Sequence, residues 1–377
     1  MNILGTKNVI ERLEEMIQTE IMMLEVLDLL DNQLMQGFGS YLDYEDELIE
    51  EIMGQVPEIE TKDDAERFLV ITSLVDRMIP VDNPEAHIMK ASVAVTLFSN
   101  SKTYNKKEIV SNPFIKNIKI DDNNVAKKGK YELHNVEVYK GEVFEDDTDK
   151  IDGIIHIPHI GYCTDAFKYP GIIVENKIHY MASPEMINMY NPILKKAKGN
   201  LLCLGLGIGY FSYMASLKED VEKITIIEKD INLINLFKEN ILPQFKNKDK
   251  IEIINADTIT YFTKITDSDF DYCIVDVSLE PEEQILAYLR IKHLEKNYKT
   301  THFLYFDEER ILLDIQAFIL MELLNDYQDY EENEIFDNEI SKEKLQELYK
   351  DVLIMSEKDL INITSIEGIK KHIEQNI

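Results

Sequence analysis

The sequence predicts an α/β protein organised around a mostly parallel, doubly wound sheet. Three observations support this prediction: five apolar runs alternate with helical patterns, the first run ends in a glycine-rich turn, and the next three end in carboxylates. Apolar runs that alternate with helices are typical of parallel strands covered on both faces. The runs predict five strands, over residues 200–205, 223–228, 251–255, 271–276 and 301–306.

The first predicted strand leads directly into three glycines at alternate positions, Gly205, Gly207 and Gly209, and a helical pattern follows. Strand, glycine turn and helix form a nucleotide-binding arrangement, because glycines let the backbone approach the ligand and the helix start offers free N–H groups. The dinucleotide fingerprint G-x-G-x-x-G would place its third glycine at position 210, which is Tyr210. The spacing therefore points away from a dinucleotide.

Three carboxylates follow the next three predicted strands. Glu228 lies 19 residues after Gly209, Asp257 ends the third run within Asn255-Ala256-Asp257, and Asp276 ends the fourth. Ligands bind at the carboxyl ends of the strands in open α/β sheets, and an acid on the second strand can accept hydrogen bonds from both hydroxyls of a ribose. We therefore expect the site at this edge of the sheet.

This combination of glycines and spaced acids resembles the class I S-adenosylmethionine (SAM) dependent methyltransferases. The resemblance implies SAM as the cofactor, with the glycine loop under its methionine part, Glu228 on the ribose and Asp257 on the adenine amino group. It implies that Asp276 is catalytic. The residues implied to bind the cofactor are Gly205, Leu206, Gly207, Gly209, Glu228, Lys229, Ala256, Asp257 and Asp276.

Within that class, residues 170–280 most resemble the spermidine synthases. The stretch 173–180 is similar to the hairpin that precedes their nucleotide domain, and Glu185-Met186 stands ahead of the glycine strand, as a Glu-Met pair often does in that family. Cys203 occupies a strand position that is apolar in spermidine synthases and acidic in many methyltransferases. The resemblance therefore extends to this subgroup for under a third of the chain.

The amine-binding motif of the spermidine synthases is matched only in part. Their Asp-x-x-Asp-Pro motif binds and deprotonates the attacking amine, and Asp276 matches its first acid. Leu279 replaces the second acid, although Glu280 follows one residue later, also before a proline. The tyrosine beside the family's Glu-Met pair has no clear match next to Ser183-Pro184.

From these features we expect a SAM-dependent methyltransferase acting on a small-molecule or protein acceptor. Methyl transfer is an in-line displacement in which the enzyme mainly positions two reactants, so it needs no universal catalytic motif. Two alternatives stay open. One is aminopropyl transfer from decarboxylated SAM, as in the spermidine synthases, and the other is a non-catalytic SAM-binding protein whose helical segments form interaction surfaces.

Composition limits the partners. The 40 basic and 71 acidic residues give a net charge of −31, which disfavours nucleic acid and anionic membranes as partners. No run reaches the roughly 18 apolar residues of a membrane span, and the N-terminus lacks the pattern of a signal peptide, so we expect a cytoplasmic protein. The oligomeric state, a homodimer included, is left open.

No metal is expected. The three cysteines, Cys163, Cys203 and Cys273, are an odd number without close spacing, which gives neither a disulfide framework nor a zinc site. His156 and His159 are three positions apart in a predicted strand, so they would face opposite sides.

Four segments are predicted. They are a helical N-terminal module (1–105), a small β unit (106–182), a SAM-binding Rossmann-like domain (183–310) and a C-terminal helical extension (311–377). The module should contain helices over residues 6–36, capped by Thr6 and ended by Gly37 and Gly39, 62–78 and 84–97, with a solvated acidic stretch over 41–60. The β unit should contain strands over 132–139 and 154–160 and a hairpin at Glu175-Asn176-Lys177. The hairpin that usually closes a methyltransferase sheet is not evident, and Asp359 to Thr364 is the one candidate strand for it.

Overall fold

The computed structural model describes residues 1–3, 7–18, 44–56, 59–79, 83–151, 155–262, 264–276, 281–328 and 339–377. Several predictions fall outside these residues. They are the cap at Thr6, the helix beyond residue 18, its end at Gly37 and Gly39, and the acidic loop after residue 328.

The strands of the described part are numbered in chain order. They are β1 (Asn2–Ile3), β2 (Lys102–Tyr104), β3 (Ala126–Lys128), β4 (Tyr131–Val138), β5 (Val143–Ile151), β6 (Ile155–Cys163), β7 (Phe167–Val174), β8 (Lys177–Met181), β9 (Gly199–Leu204), β10 (Val221–Glu228), β11 (Ile251–Asn255), β12 (Tyr272–Val275), β13 (His302–Tyr305) and β14 (Leu353–Ile354).

The helices are numbered in the same way. They are α1 (residues 7–18), α2 (Asp46–Gln55), α3 (Lys62–Met78), α4 (Pro84–Ser99), α5 (Lys106–Ser111), α6 (Pro113–Asn117), α7 (Pro184–Lys196), α8 (Tyr210–Ser216), α9 (Ile231–Asn240), α10 (Thr258–Phe262), α11 (Pro281–Glu295), α12 (Glu308–Gln328), α13 (Glu339–Tyr349), α14 (Glu357–Thr364) and α15 (Ile366–Asn376). None of these helices is both long and apolar enough to cross a membrane.

The central sheet has five strands in the order β11-β10-β9-β12-β13, and every pair in it is parallel. The predicted α/β class is therefore confirmed, and each of the five strands predicted from the apolar runs is present. The chain builds outward from β9 to β11, then returns to the other side of β9 for β12 and β13. The change of direction between β9 and β12 is the topological switch point, where ligands bind in such sheets.

Helices cover this sheet on both faces, which explains why β9 is apolar throughout. Leu201 and Cys203 face a core shared with α7, α8 and α9, whereas Leu202 and Leu204 face a second core shared with α10 and α11. Successive side chains of a strand point to opposite faces, so both sets must be apolar. The three cysteines are buried and unpaired.

The predicted hairpin at Glu175-Asn176-Lys177 is confirmed. Glu175 and Asn176 connect β7 to β8 with positive φ angles of 51° and 69°, the backbone twist that a two-residue hairpin turn requires. These strands belong to a four-stranded antiparallel sheet in the order β3-β4-β7-β8. Its last strand ends at the helix α7, which starts after the capping residue Ser183.

A third sheet, in the order β2-β6-β5, supports the helices α2, α3 and α4. Val143, Ile160 and Tyr162 of this sheet pack into the same core as those helices. The sequence predicted β6 and the helices α3 and α4, but β2 and β5 were not expected. The acidic stretch 41–60, predicted as a solvated face, contains the helix α2, of which Ile49 is buried.

The C-terminal extension is helical, as predicted, and it packs with the other end of the chain. Val9, Leu13 and Met16 of α1 are buried in one core with α11, α12, α14 and α15. The strand considered at Asp359 to Thr364 is wrong, because these residues lie in the helix α14, whose cap Ser356 accepts a hydrogen bond from the backbone N–H of Asp359. In the described part the central sheet ends with the parallel strand β13.

Replacing Gly209 by Ala should destabilise the protein by about 2–5 kcal/mol. Gly209 has φ +82°, and a Cβ built on it would lie 2.3 Å from the ring of Phe237 in α9. Gly54→Ala is the control, because a Cβ there meets nothing within 4 Å and helix propensity favours alanine by about 0.5–1 kcal/mol. Thermal melting of both variants tests this expectation, and equal Tm values for Gly209→Ala and the unmodified protein would contradict it.

Candidate functional site

A cavity of about 120 Å³ lies at the switch point of the central sheet. It is bounded by the glycine loop after β9, the ends of β12 and β13, the hairpin strand β8 and the helices α7 and α11. Five of the predicted site residues line it: Gly205, Leu206, Gly207, Gly209 and Asp276. The structure therefore brings together the glycine loop and the acid of the fourth strand.

The two later glycines of the loop have different roles. A Cβ on Gly207, whose φ is +52°, would lie 3.7 Å from Tyr180 and 3.9 Å from the Asp276 carboxylate, so this position faces the cavity. Gly209 instead allows α9 to approach the loop, because a Cβ there would overlap Phe237. Gly207 thus keeps space open for a ligand, and Gly209 is required by packing.

Asp276 is held by a tyrosine that the sequence analysis did not identify. The hydroxyl of Tyr190, on α7, donates a hydrogen bond to the Asp276 carboxylate. The Tyr190 ring stacks on Phe306, with centroids 4.3 Å apart and planes inclined by 29°. Burial raises the pKa of Asp276 to about 6; the charge of Glu228 also raises it, and the bond from Tyr190 opposes the rise. Asp276 therefore ionises close to neutral pH.

A second acid, Asp307, lines the same cavity. It follows β13 and adopts φ +50°, a left-handed conformation that is uncommon for residues other than glycine. Burial raises the pKa of Asp307 to about 7; Arg310 opposes the rise, and the charges of Glu145 and Asp314 add to it. The cavity thus contains two carboxyl groups whose ionised forms are costly.

Glu228 lies beside the cavity and does not line it. Its carboxylate accepts hydrogen bonds from the backbone N–H of Asp230, at 2.8 Å, and of Leu206 in the glycine loop, at 3.3 Å. Burial raises its pKa, and these backbone bonds oppose the rise. Glu228 therefore ties the end of β10 to the glycine loop.

The remaining predicted residues lie at the end of β11 and of β10, outside the cavity lining. Asp257 is exposed, and its Oδ1 accepts hydrogen bonds of 2.8 Å from both the backbone N–H and the hydroxyl of Thr260 in α10. Ala256 donates its N–H to the carbonyl of Glu228 at 3.1 Å, and the charge of Lys229 helps to lower the pKa of Asp257. Their roles in cofactor binding stay predictions.

The charge of the cavity is one-sided. Its described lining includes the carboxyl groups of Asp276 and Asp307 and contains neither lysine nor arginine. The neighbouring residues 277–280, which lie outside the described part, have the sequence Val-Ser-Leu-Glu and add no base. His179 is the one basic side-chain type in this lining. A site of this kind favours a cationic ligand over an anionic one.

A second, larger cavity of about 1210 Å³ adjoins the first. The two share Gln284, Tyr305 and Asp307, so Asp307 stands at their junction. The small cavity lies below the roughly 300–1,000 Å³ of most small-molecule sites. It therefore accommodates the reacting end of a larger ligand.

Several residues of the site were missed, for two reasons. Tyr190 and Asp276 are 86 positions apart, and no local pattern pairs them. Asp307 did carry a signal, because it follows a predicted strand in the same way as Asp276. Extending the rule of acids at strand ends to the fifth strand would have found it.

A comparison with protein-family models matches residues 180–312 to the "Spermine/spermidine synthase domain". A comparison with curated proteins finds no match. The parallel sheet, the glycine loop at its switch point and this family match define an α/β protein with the fold of the SAM-dependent transferases. The matched region of the chain is similar to the spermidine synthases in particular.

Solved structures with similar folds include three that we compare. A spermidine synthase in complex with the transition-state analogue AdoDATO is 17% identical, with a TM-score of 0.30, and the match covers 42% of this chain and 59% of that one. A protein from Klebsiella pneumoniae assigned as an O-methyltransferase is 14% identical, with a TM-score of 0.26 and coverages of 32% and 53%. Precorrin 8w decarboxylase from Methanobacterium thermoautotrophicum is 17% identical, with a TM-score of 0.26 and coverages of 38% and 70%. The chain thus spans just over half the length of the first two.

Asp276→Asn should stabilise the protein at pH 8 and change little at pH 4. The folded pKa of about 6 lies above the unfolded value of 3.8, so the stability associated with the protonated group is complete below pH 4 and is lost as the pH rises through 6. Asparagine is never ionised and avoids this loss, worth about 2–3 kcal/mol. Melting curves at the two pH values provide the measurement.

Asp257→Asn is the control with the opposite sign. The bonds from Thr260 lower the pKa of Asp257, so its ionised form stabilises the fold above its unfolded pKa, and this contribution is lost as the pH falls through the folded pKa. The variant should therefore lose stability at pH 8. If both variants shifted the Tm in the same direction at pH 8, the burial assigned to Asp276 would be wrong.

Proposed function

We propose that the protein is an aminopropyltransferase that moves the aminopropyl group of decarboxylated SAM to an amine acceptor. The observation that carries this proposal is the charge of the cavity, where the described lining has two carboxyl groups and neither lysine nor arginine. The match of residues 180–312 to the Spermine/spermidine synthase domain supports it independently.

The cavity favours decarboxylated SAM over SAM for an electrostatic reason. SAM carries a carboxylate at the end of its methionine chain, and decarboxylated SAM ends there in an ammonium group alone. Two like charges about 5 Å apart at an effective dielectric constant of about 20 repel by about 3 kcal/mol. A donor that ends in a cation therefore fits between Asp276 and Asp307, and the carboxylate of SAM lacks a basic partner in the described lining.

The acceptor must reach the site as a cation and react as a neutral amine. An aliphatic ammonium group has a pKa near 10, so carboxylates are needed to hold it and a base is needed to remove a proton. Asp276 suits the second task, since its pKa of about 6 leaves it ionised at neutral pH but close enough to accept a proton. The bond from Tyr190 fixes the direction of its carboxylate.

The reaction is then a balanced displacement. The lone pair of the acceptor nitrogen attacks the aminopropyl carbon bonded to the sulfonium sulfur, and a C–N bond forms. The C–S bond breaks with its electrons on sulfur, which leaves as the neutral thioether methylthioadenosine. The proton lost by the nitrogen passes to Asp276.

Methyl transfer, the first expectation from the sequence, keeps one observation in its favour. Leu279 stands where the amine-binding motif has its second acid. A methyl acceptor would then need only positioning in the cavity. The net charge of −31 supports a cationic acceptor under either reaction and disfavours nucleic acid.

Incubation with decarboxylated SAM and a diamine such as putrescine should yield methylthioadenosine and the aminopropylated amine in equal amounts. Asp276→Asn should lower kcat by about 10²–10⁴-fold, because it removes the general base. Asp314→Asn is the control, since burial also raises the pKa of Asp314 to about 6 but it lines only the second cavity. Mass spectrometry of both products provides the measurement.

A parallel reaction contains SAM and the same amine. Methylated amine and S-adenosylhomocysteine in that tube, together with no aminopropyl product in the first, would replace the proposal by methyl transfer.

A further inference from the structure

We propose that Asp307 supplies the second carboxylate of the amine site and binds the ammonium group of the acceptor. This inference rests on the proposed aminopropyl transfer. It accounts for the apolar Leu279, because the carboxylate that the motif would place there comes instead from the end of the neighbouring strand.

The sheet places Asp307 beside Asp276. The strands β12 and β13 are parallel neighbours, with Val275 opposite Tyr305, and Phe306 donates its N–H to the carbonyl of Val275 at 2.8 Å. Asp276 and Asp307 therefore leave adjacent strands at the same edge, and both line the small cavity.

Tyr190 joins the two acids into one unit. Its hydroxyl bonds to Asp276, and its ring stacks on Phe306, the residue before Asp307. The Tyr190 side chain is buried, at 5% exposure, so this arrangement is fixed by the core. The separation of the two carboxyl groups is thus set before any ligand binds, which is the preorganisation that an amine site requires.

The nearby lysines do not neutralise Asp307. Lys292 lies 3.2 Å from both Glu295 and Glu308, and Lys370 lies 2.7 Å from Glu308. The charged groups that act on Asp307 are Arg310, which favours its ionised form, and Glu145 and Asp314, which oppose it. The balance leaves the pKa at about 7, and a bound ammonium group would lower it.

Asp307 also caps the helix α12, since its carboxylate accepts a hydrogen bond from the backbone N–H of Arg310. A cap alone would explain an acid here, but it does not require a charge. Asparagine caps helices as well as aspartate and adopts positive φ angles readily. Asp307→Asn therefore removes the charge and preserves both the cap and the backbone conformation.

The test is steady-state kinetics with decarboxylated SAM and putrescine over pH 6–8. Asp307→Asn should raise the KM for putrescine by about 10- to 100-fold, because a hydrogen bond between charged groups is lost, with a smaller change in kcat. In the unmodified protein the KM should fall as the pH rises through 7, since Asp307 becomes ionised, and in the variant this fall should disappear.

Asp314→Asn is the matched control, because it removes an equally buried acid two helical turns further along α12 and should leave both the KM and its pH dependence within about twofold. Equal behaviour of Asp307→Asn and Asp314→Asn, in a protein that makes the aminopropylated product, would overturn the role of Asp307 and retain the function. Absence of that product from the unmodified protein with putrescine and with longer polyamines would overturn the function itself. A circular dichroism melt of each variant confirms that it is folded.

Discussion

The hydrogen bond from Tyr190 to Asp276 is the contact on which the site depends. It connects α7, which precedes the glycine strand, to the end of β12, and the Tyr190 ring connects both to Phe306 at the end of β13. One side chain thus fixes the positions of two strand ends around the switch point. A tyrosine hydroxyl in a dry site donates without adding charge, so it orients the Asp276 carboxylate but does not neutralise it.

The cavity consequently stores an electrostatic cost that a cation can relieve. Burial raises the pKa of both Asp276 and Asp307 towards neutrality, which means that their ionised forms are unfavourable in the free protein. Titratable groups shifted in this way concentrate at functional sites. The lysines at this end of the sheet bond to Glu308, on the far side of Asp307 from the glycine loop. The protein therefore places its positive charges outside the cavity and leaves the interior to a cationic ligand.

The sequence predicted the central sheet closely, because β9 to β13 are apolar on both faces and the glycine loop marks the first turn. It did not predict β5, whose Glu145, Asp146 and Asp149 give no apolar alternation and whose formation depends on pairing with β6. The segment Asp359 to Thr364 shows the opposite error. Its β-branched residues suggested a strand, but Ser356 and Asp359 form a reciprocal cap that starts a helix. For the site, the glycines and Asp276 were predicted, whereas Tyr190 and Phe306 depend on contacts between distant elements.

Calorimetry with decarboxylated SAM and with SAM, each added to the unmodified protein at pH 7.5, tests the central claim most directly. The claim is that two carboxyl groups without a basic partner in the described lining select a donor with a cationic end. The account predicts that decarboxylated SAM binds at least about tenfold more tightly than SAM, because a repulsion of about 3 kcal/mol corresponds to a factor of about a hundred before screening. Equal affinities, or tighter binding of SAM, would contradict it.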